Sequence, residues 1–564
     1  MSTCRTRIES LPEAEADSAT HDRPCGRRSF NAVIAVFTVL MFSGCRVGPD
    51  AVRPLGPWLQ DHYSSATALL PASHSRTVDL ESDASSAIPS GVNLACWWDD
   101  LNDPCLNQLI AEVSHENYDL SAAYFRIAEA RGLTGAVQGR FFPTLDHKSS
   151  YAHRKNSING TQFGSPLSQP FDFYSTGFDS TWEIDLFGKI QRSMESAQAK
   201  ADATKEAYAA LRLTLLAEVA TNYVNYRVIQ ARLRIAEQNE ESQRSTLQLV
   251  SKRLKAGLAV PLDEAQAESN LYSTSATVPS SRQDLVKVRN RICTLVGNTP
   301  SDEMDLFLGD GPVPEFSADL SLGVPCDLLR RRPDIRQAEF TVVSACADIG
   351  VATAEVYPQL SLKGDISVDS RQYTNLFASD SLTFGVGPSL RWKLLYWGSI
   401  RQNIKSREAA HQQTVAKYKQ TVLNAVEEVE NALVSYHNQA EREVILQQAV
   451  DATQRTVTLS QSRYESGLVT FQPVLDSQRE LFKRESELIE SRGAKAVSLI
   501  QAYKASGGGW AATPKPSARS VTIVEIAPQA QESVLEGDLE TRSELAPSTE
   551  AVDEATEVLE SPIR

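Results

Sequence analysis

The residue types that most often carry out chemistry are present in this chain, but they are not spaced as catalysis requires. Its 564 residues include eight histidines and eight cysteines, without the His-Glu-X-X-His sequence that binds zinc in metalloproteases. Gly132, Gly135 and Gly139 have a spacing that neither a dinucleotide-binding loop nor a phosphate-binding loop uses. We therefore predict that the chain is not an enzyme and that it holds no metal or non-covalent cofactor.

Cys45 is the cysteine for which the sequence predicts a modification. It follows an apolar stretch of about 15 residues, 30–44, which is preceded by a basic segment. That length is typical of a signal peptide, since a membrane-spanning helix needs roughly 20 residues. Ser43 and Gly44 resemble the end of a bacterial lipobox, in which the next cysteine receives diacylglycerol. We predict a covalent lipid on Cys45. An ordinary export signal with a chance cysteine, or a twin-arginine signal at Arg27 and Arg28, is the alternative.

The other cysteines predict neither a zinc site nor a disulfide framework. No Cys-X-X-Cys pair and no cluster of cysteine with histidine is present. After removal of a signal peptide and lipidation of Cys45, five cysteines would remain, which is an odd number. A disulfide between Cys96 and Cys105 is an alternative that the sequence alone neither predicts nor excludes.

The charge balance excludes one class of partner. The chain has 71 acidic and 56 basic residues, for a net charge of −15. A nucleic-acid-binding protein usually needs a basic face that displaces counterions from phosphates. No nucleic-acid partner is therefore predicted.

Two long runs without glycine or proline dominate the sequence. Gly188 and Gly257 bound the first run, Gly398 and Gly467 bound the second, and 68 residues separate the two glycines in each case. Apolar residues recur at intervals of three and four, which is typical of an α-helix. At 1.5 Å per residue each helix would be roughly 100 Å long. Because so long a helix is not stable alone, it must pack lengthwise against others.

Both runs end in the same way. Glycine supplies the left-handed residue that ends a helix, and a second helical pattern follows each glycine. We predict two internal repeats, each with a long helix, a tight tip and a returning helix. The matching tip residues are Arg253, Gly257 and Leu258 in the first half, and Arg463, Gly467 and Leu468 in the second.

Before each long run the hydrophobic pattern changes to a period of two, which is typical of β-strands. Four strands cannot close a barrel, and lipid does not tolerate an open sheet edge. The strands therefore form either a soluble sheet or part of a barrel to which several chains contribute, and three chains would supply twelve. The repeated order of elements favours the second arrangement. The predicted strands lie at about 145–153, 178–186, 360–368 and 382–392, with loops at 156–169 and 369–380.

With these elements in place, residues 45–510 resemble the TolC-like outer-membrane efflux proteins, and within them the NodT/OprM-like lipoprotein branch that serves tripartite pumps. The resemblance implies a mixed α and β fold in a homotrimer. Four strands per protomer would form a 12-stranded outer-membrane β-barrel, continued by a long α-helical barrel in the periplasm. The segments that carry the resemblance are 48–50, 98–110, 117–120, 329–335 and the two tips.

The function implied by this resemblance is a passive exit duct anchored in the outer membrane by lipid. It would open when a periplasmic membrane-fusion adaptor and an inner-membrane pump of the RND type engage it. The alternative is a lipid-anchored periplasmic coiled-coil adaptor or structural protein. That alternative explains the long helices and Cys45, but it does not explain two pairs of strands.

Two sites follow from the resemblance. The six tip residues match positions that contact the adaptor, although the glycines could serve only as helix caps and the arginines could be merely solvated. Asp476 matches the place where aspartates gather on the threefold axis, and it would form the periplasmic gate by attracting cations. The alternative for Asp476 is an ordinary aspartate near a helix N-terminus, stabilised by the helix dipole.

Five segments are predicted along the chain. The last is expected to be disordered, because residues 513–564 contain 11 acidic residues, four basic ones and no aromatic residue. The segments are a signal peptide (1–44), a lipidated strap (45–96), a first efflux repeat (97–310), a second efflux repeat (311–510) and an acidic tail (511–564).

Overall fold

The computed structural model describes residues 46–51, 94–101, 103–155, 170–301, 303–314 and 331–508. The predicted signal peptide, Cys45, most of the strap, the loop 156–169 and the acidic tail lie outside these residues. A 3-10 helix covers Leu94–Leu101. The elements that follow are α1 (Pro104–Glu116), α2 (Tyr118–Gln138), β1 (Thr144–Arg154), β2 (Phe171–Ile184), α3 (Lys189–Lys255), α4 (Pro261–Ser275), α5 (Thr277–Val296), α6 (Glu303–Leu308), α7 (Pro333–Ala354), β3 (Gln359–Ser370), β4 (Leu382–Arg391), α8 (Ser399–Glu465) and α9 (Gln472–Ala505).

The two long helices confirm the runs predicted from glycine and proline. Helices α3 and α8 contain 67 residues each. Each begins directly after a glycine with a left-handed backbone, Gly188 at φ 73° and Gly398 at φ 79°. A bulky residue is unfavourable in that conformation, so both helices start where the sequence allows a sharp turn out of the sheet.

Their surroundings differ. Helix α3 packs against α1, α2, α4, α5, α7 and α9, and 23 of its 67 residues are buried. Helix α8 packs against α7 and α9 and buries eight. The main core forms around the middle of α3, where Leu216, Val219 and Tyr223 meet Ile292 and Leu499 at zero exposure. Helix α8 therefore has far less of its surface covered within the chain.

The prediction of one returning helix in each half is wrong for the first half. Helix α9 is a single helix of 34 residues, whereas the first half returns as two helices, with α4 ending at Ser275 and α5 starting at Thr277. Pro279 stands in the first turn of α5. It has no amide hydrogen to donate to the carbonyl of Ser275, so the helical hydrogen-bond ladder breaks there.

The four predicted strands are present and form one antiparallel sheet in the order β1-β2-β3-β4. The two hairpins share one register. Thr144 pairs with Thr181 in the first hairpin, and Gln359 pairs with Arg391 in the second. A shift of 215 residues for the first strand (144 to 359) and of 210 for the second (181 to 391) converts one pairing into the other. Strands β1 and β4 each have one neighbour in this sheet and form its edges.

Both hairpins are fastened to the helices by a tryptophan. The indole Nε1 of Trp182 donates to the carbonyl of Phe141 at 2.9 Å, and Nε1 of Trp392 donates to the carbonyl of Val356 at 3.0 Å. Each acceptor lies two residues before a proline, Pro143 or Pro358, where a helical segment leads into the sheet. The sheet is thus held at one end of the helical bundle by two equivalent hydrogen bonds.

Among the described residues, no helix combines the length and the apolar character needed to cross a membrane.

Candidate functional site

The two tips have the same backbone geometry. Gly257 and Gly467 both have φ 73°, and the amide of the residue after each glycine donates to the carbonyl of Arg253 at 2.8 Å or of Arg463 at 2.9 Å. Each glycine amide also donates to a carbonyl three residues earlier, at 2.9 Å in both tips. This is the Schellman pattern, which satisfies the last carbonyls of a helix. The predicted capping role of the two glycines is confirmed.

The leucines after these glycines are unusually exposed. In many Schellman motifs the residue after the glycine packs back on the helix. Here Leu258 is 66% exposed and Leu468 is 75% exposed. Each tip therefore presents an apolar side chain to its surroundings, held at the end of a rigid helix pair.

The two tip arginines occupy matching positions but have different surroundings. Arg253 donates from Nη1 to the carbonyl of Glu465 at 2.7 Å, and its guanidinium lies 4.8 Å from the ring centre of Tyr464. Tyr464 is buried against Phe471, and burial raises the pKa of its phenol. Arg463 is exposed at the other tip. Arg253 thus joins the two tips of one chain, a role that the sequence did not reveal, whereas Arg463 stays at the surface.

Asp476 lies in the second turn of α9 and is exposed. It accepts a hydrogen bond from Nε2 of Gln472, one turn earlier, at 2.9 Å. The favourable effect of a helix dipole on an aspartate falls off beyond the first turn. The structure therefore gives little support to the dipole interpretation, and the gate stays a prediction.

A buried arginine clamps the segment that follows Cys45. Arg192, in the first turn of α3, is 1% exposed. Its guanidinium donates to the carbonyls of Val47 at 3.1 Å and Gly48 at 3.0 Å, and to the carboxylates of Asp50 and Glu195, both at 2.8 Å. Burial alone would lower the pKa of Arg192, but the hydrogen bonds to Glu195 and Asp50 outweigh it and raise that pKa.

The other side of this segment rests on α7. Gly48 has φ 98°, and a Cβ at this position would stand 2.5 Å from the Cα of Gly350. The thiol of Cys346 donates to the carbonyl of Pro49 at 3.6 Å. Only glycine permits such a close approach with a left-handed backbone. The short motif 48–50 thus fixes the chain between α3 and α7, directly after the predicted lipid site.

The motif 329–335 contains a second buried clamp, of which residues 331–335 are described. Arg332 is 6% exposed and donates to the carbonyl of Ala505 at 3.0 Å. It also bonds the carboxylates of Asp334 at 2.7 Å and Glu428 at 2.8 Å. One guanidinium therefore joins α7, α8 and the end of α9. The sequence marked this motif but did not show that its charge would be buried.

The other two motifs, 98–110 and 117–120, each contain a residue that caps a helix. Asp103 accepts from the amide of Cys105 at 3.0 Å and so caps α1, while its second carboxylate oxygen accepts from the hydroxyl of Tyr223 at 2.5 Å. Asn117 accepts from the amide of Leu120 at 3.0 Å and caps α2. Such caps satisfy amides that have no partner within their helix.

No disulfide joins Cys96 and Cys105, and both thiols are free, as are those of Cys293 and Cys346. The thiol of Cys105 instead donates to the carbonyl of Phe307 at 3.8 Å. Within the described part of the chain, no group of three or more histidine, cysteine, aspartate or glutamate side chains is placed to hold a metal ion.

Comparison with known proteins places this architecture in the class of outer-membrane channels. The solved structure of the outer-membrane channel OprN aligns with a TM-score of 0.74 at 32% identity, covering 83% of this chain and all of that one. Nodulation protein T of Rhizobium leguminosarum bv. trifolii is 30% identical over 85% of this chain and 98% of its own length. The solvent efflux pump outer membrane protein SrpC of Pseudomonas putida is 28% identical, again over 85% and 98%.

The sequence profile of the outer membrane efflux proteins matches residues 109–298 and 324–508, and the chain belongs to that family. It is accordingly the outer-membrane channel component of an efflux system, located in the outer membrane and extending into the periplasm. This outcome confirms the predicted family and function over the adaptor alternative. The family consists of efflux channels rather than enzymes, which agrees with the prediction that the chain is not an enzyme.

We expect Arg192→Met to destabilise the protein by about 3 kcal/mol, because it leaves carbonyls of the clamped segment without a donor and removes a buried, paired charge. Urea unfolding followed by helical circular dichroism would measure this loss, and limited proteolysis would show earlier cleavage near residue 50. Arg46→Met is the matched control. Arg46 bonds the same Glu195 at 2.6 Å but its side chain is 40% exposed, so its loss should cost about 0.5 kcal/mol. Equal effects of the two substitutions would contradict the clamp.

Proposed function

We propose that the chain works as a homotrimer whose four-stranded sheets join into one 12-stranded barrel. The observation that carries this proposal is the pair of open edges, since β1 and β4 each have a single neighbour within the described sheet. A sheet edge exposes unpaired backbone groups, which lipid does not tolerate. The sparse burial of α8 supports the same arrangement, because a second protomer would cover the helix face that its own chain leaves open.

The helices would continue this barrel as a periplasmic tunnel built from two internal repeats. Equal lengths of α3 and α8, matching tips and the shared hairpin register support the duplication. The boundaries of the two repeats, 97–310 and 311–510, are proposed on the same grounds. The tunnel is a passive duct, so the energy for transport comes from other proteins.

The partners in this scheme are a periplasmic membrane-fusion adaptor and an inner-membrane pump of the RND type. Leu258 and Leu468 support an adaptor contact at the tips, because apolar side chains at the end of a helical bundle are suited to a protein interface. Of the two tip arginines, Arg463 is the one with an exposed side chain. Arg253 contributes indirectly, by holding the two tips together.

The lipid anchor is proposed at Cys45. Support comes from the clamp, which fixes residues 46–50 against α3 and would transmit the hold of a lipid to the helical bundle. Mass spectrometry of the intact chain purified from membranes should show a mature N-terminus at Cys45 carrying a diacylglyceryl group. An N-terminus at another residue, or an unmodified cysteine, would disprove the anchor.

We expect Leu258→Asp and Leu468→Asp to weaken binding to the cognate membrane-fusion adaptor at least about tenfold, since each places a charge in an apolar contact. The change would be measured by surface plasmon resonance with both purified proteins. Leu459→Asp is the control, because Leu459 is equally exposed, at 64%, but lies on α8 above the tip. If all three substitutions act alike, or if none weakens binding, the tips are not the contact.

The channel and its gate are tested together in a planar lipid bilayer. The purified protein should give small cation-selective conductance steps, and Asp476→Asn should enlarge them or remove the selectivity, because three carboxylates on the axis would be neutralised. Asp451→Asn is the matched control, since Asp451 also accepts a hydrogen bond from a glutamine one turn earlier, Gln447, at 2.9 Å. Steps that Asp476→Asn leaves unchanged would refute the gate alone. A protein that gives no steps and is monomeric in detergent would refute the duct.

A further inference from the structure

An aromatic stack joins the two halves of the chain where the sheet meets the helices. The ring of Phe187 lies 4.7 Å from that of Tyr357, with 16° between the ring planes. Phe187 follows β2 and directly precedes Gly188, the glycine before α3. Tyr357 directly precedes Pro358 and β3. The stack therefore closes the junction between β2 and β3 on the side of the helices.

The same two positions occur a second time, but there both rings are exposed. Trp397 follows β4 and directly precedes Gly398, as Phe187 precedes Gly188, and it is 98% exposed. Phe142 directly precedes Pro143 and β1, as Tyr357 precedes Pro358, and it is 65% exposed. The shifts that relate the two hairpins, 210 residues for β2 to β4 and 215 for β1 to β3, also relate Phe187 to Trp397 and Phe142 to Tyr357.

The backbone at Trp397 is strained. Its φ is 48°, in the left-handed region, and it is the one residue other than glycine with a positive φ among those described. A bulky residue is a true outlier in this region, and such strain persists only where surrounding structure maintains it. A hydrogen bond from the amide of Ser399 to the carbonyl of Tyr396, at 2.8 Å, closes the turn around Trp397. The ring itself makes almost no contact within the chain, so packing of the side chain contributes little that compensates the strain.

Strand β4 also ends early. Strand β2 continues to Ile184, whose partner is Leu360 of β3. The position equivalent to Ile184 is Leu394, but β4 ends at Arg391. Leu394 is 69% exposed, and Leu145, which is equivalent to Leu360, is 70% exposed. Residues 392–394 therefore lack the neighbouring strand that the corresponding residues of β2 have.

We propose that β4 pairs with β1 of the partner subunit in the antiparallel register that sets Leu394 opposite Leu145, and that Trp397 stacks on Phe142 of the partner subunit. The occupant of this edge is a second copy of the chain, because the stack and register are those already formed between β2 and β3. The proposal rests on the trimer proposed above and adds to it a register and a contact. The stack would close each junction between protomers, as Phe187 and Tyr357 close the junction within one.

The test uses cysteine pairs in the full-length protein, oxidised with copper phenanthroline in isolated outer membranes. The pair Phe142→Cys with Trp397→Cys should give disulfide-linked dimers and trimers on non-reducing gels. Each single substitution should give neither, which controls for the native cysteines. Phe142→Cys with Phe187→Cys is the matched control pair, because Phe187 lies at the junction within the chain, and it should give no linked oligomer.

Light scattering of the purified protein separates this proposal from the proposed function. A trimer in which the pair with Trp397→Cys forms no more linked oligomer than the control pair would overturn the register and the stack and leave the duct standing. A monomer would overturn both. A trimer with efficient linking confirms the contact. As a second measurement, Trp397→Ala should lose trimers that resist dodecyl sulfate at room temperature. Leu395→Ala should retain them, although Leu395 is also highly exposed, at 84%.

Discussion

A helix of 67 residues in water cannot be stable without neighbours along its length, and the architecture of this protein follows from having two of them. Helix α3 meets the requirement inside the chain, where six other helices pack against it. Helix α8 has two neighbours, and much of it remains uncovered. The chain is therefore incomplete in two ways at once, along α8 and along the edges of its sheet. The proposed association with further copies would satisfy both needs with a single arrangement.

Much of the fold was predictable because glycine and proline limit the backbone wherever they occur. Gly188 and Gly398 set the starts of the long helices, and the period-two pattern identified all four strands. The predicted range of β2 was wrong at its start, since the strand begins at Phe171, seven residues earlier than predicted. The family was predictable from short motifs. Their physical roles were not, because burial depends on the tertiary packing of distant elements. Nothing local indicates that Arg192 and Arg332 become the centres of buried hydrogen-bond clamps.

The candidate sites, too, were predictable only where they depend on residues close together in sequence. The caps at Gly257 and Gly467 could be predicted because a Schellman motif depends on a few consecutive residues. The unequal roles of Arg253 and Arg463 could not be predicted, because they depend on contacts between the two tips, which are distant in sequence. The difference arises from Tyr464, which accepts the guanidinium of Arg253 on its ring, whereas its counterpart in the other tip is Leu254. A break such as that at Ala276 also required the structure, although Pro279 was its visible cause.

The inequality of the two tips has a consequence for any partner that docks end-on. The proposed ring of three chains would have six tips, which would share one backbone shape but alternate in chemistry around the ring. One kind carries an arginine already engaged within the chain, and the other carries an exposed arginine. A partner with six identical contact elements would thus meet two classes of site in alternation. Its binding curve would contain two affinities at a ratio of one to one, and its stable intermediate would hold half of the full complement.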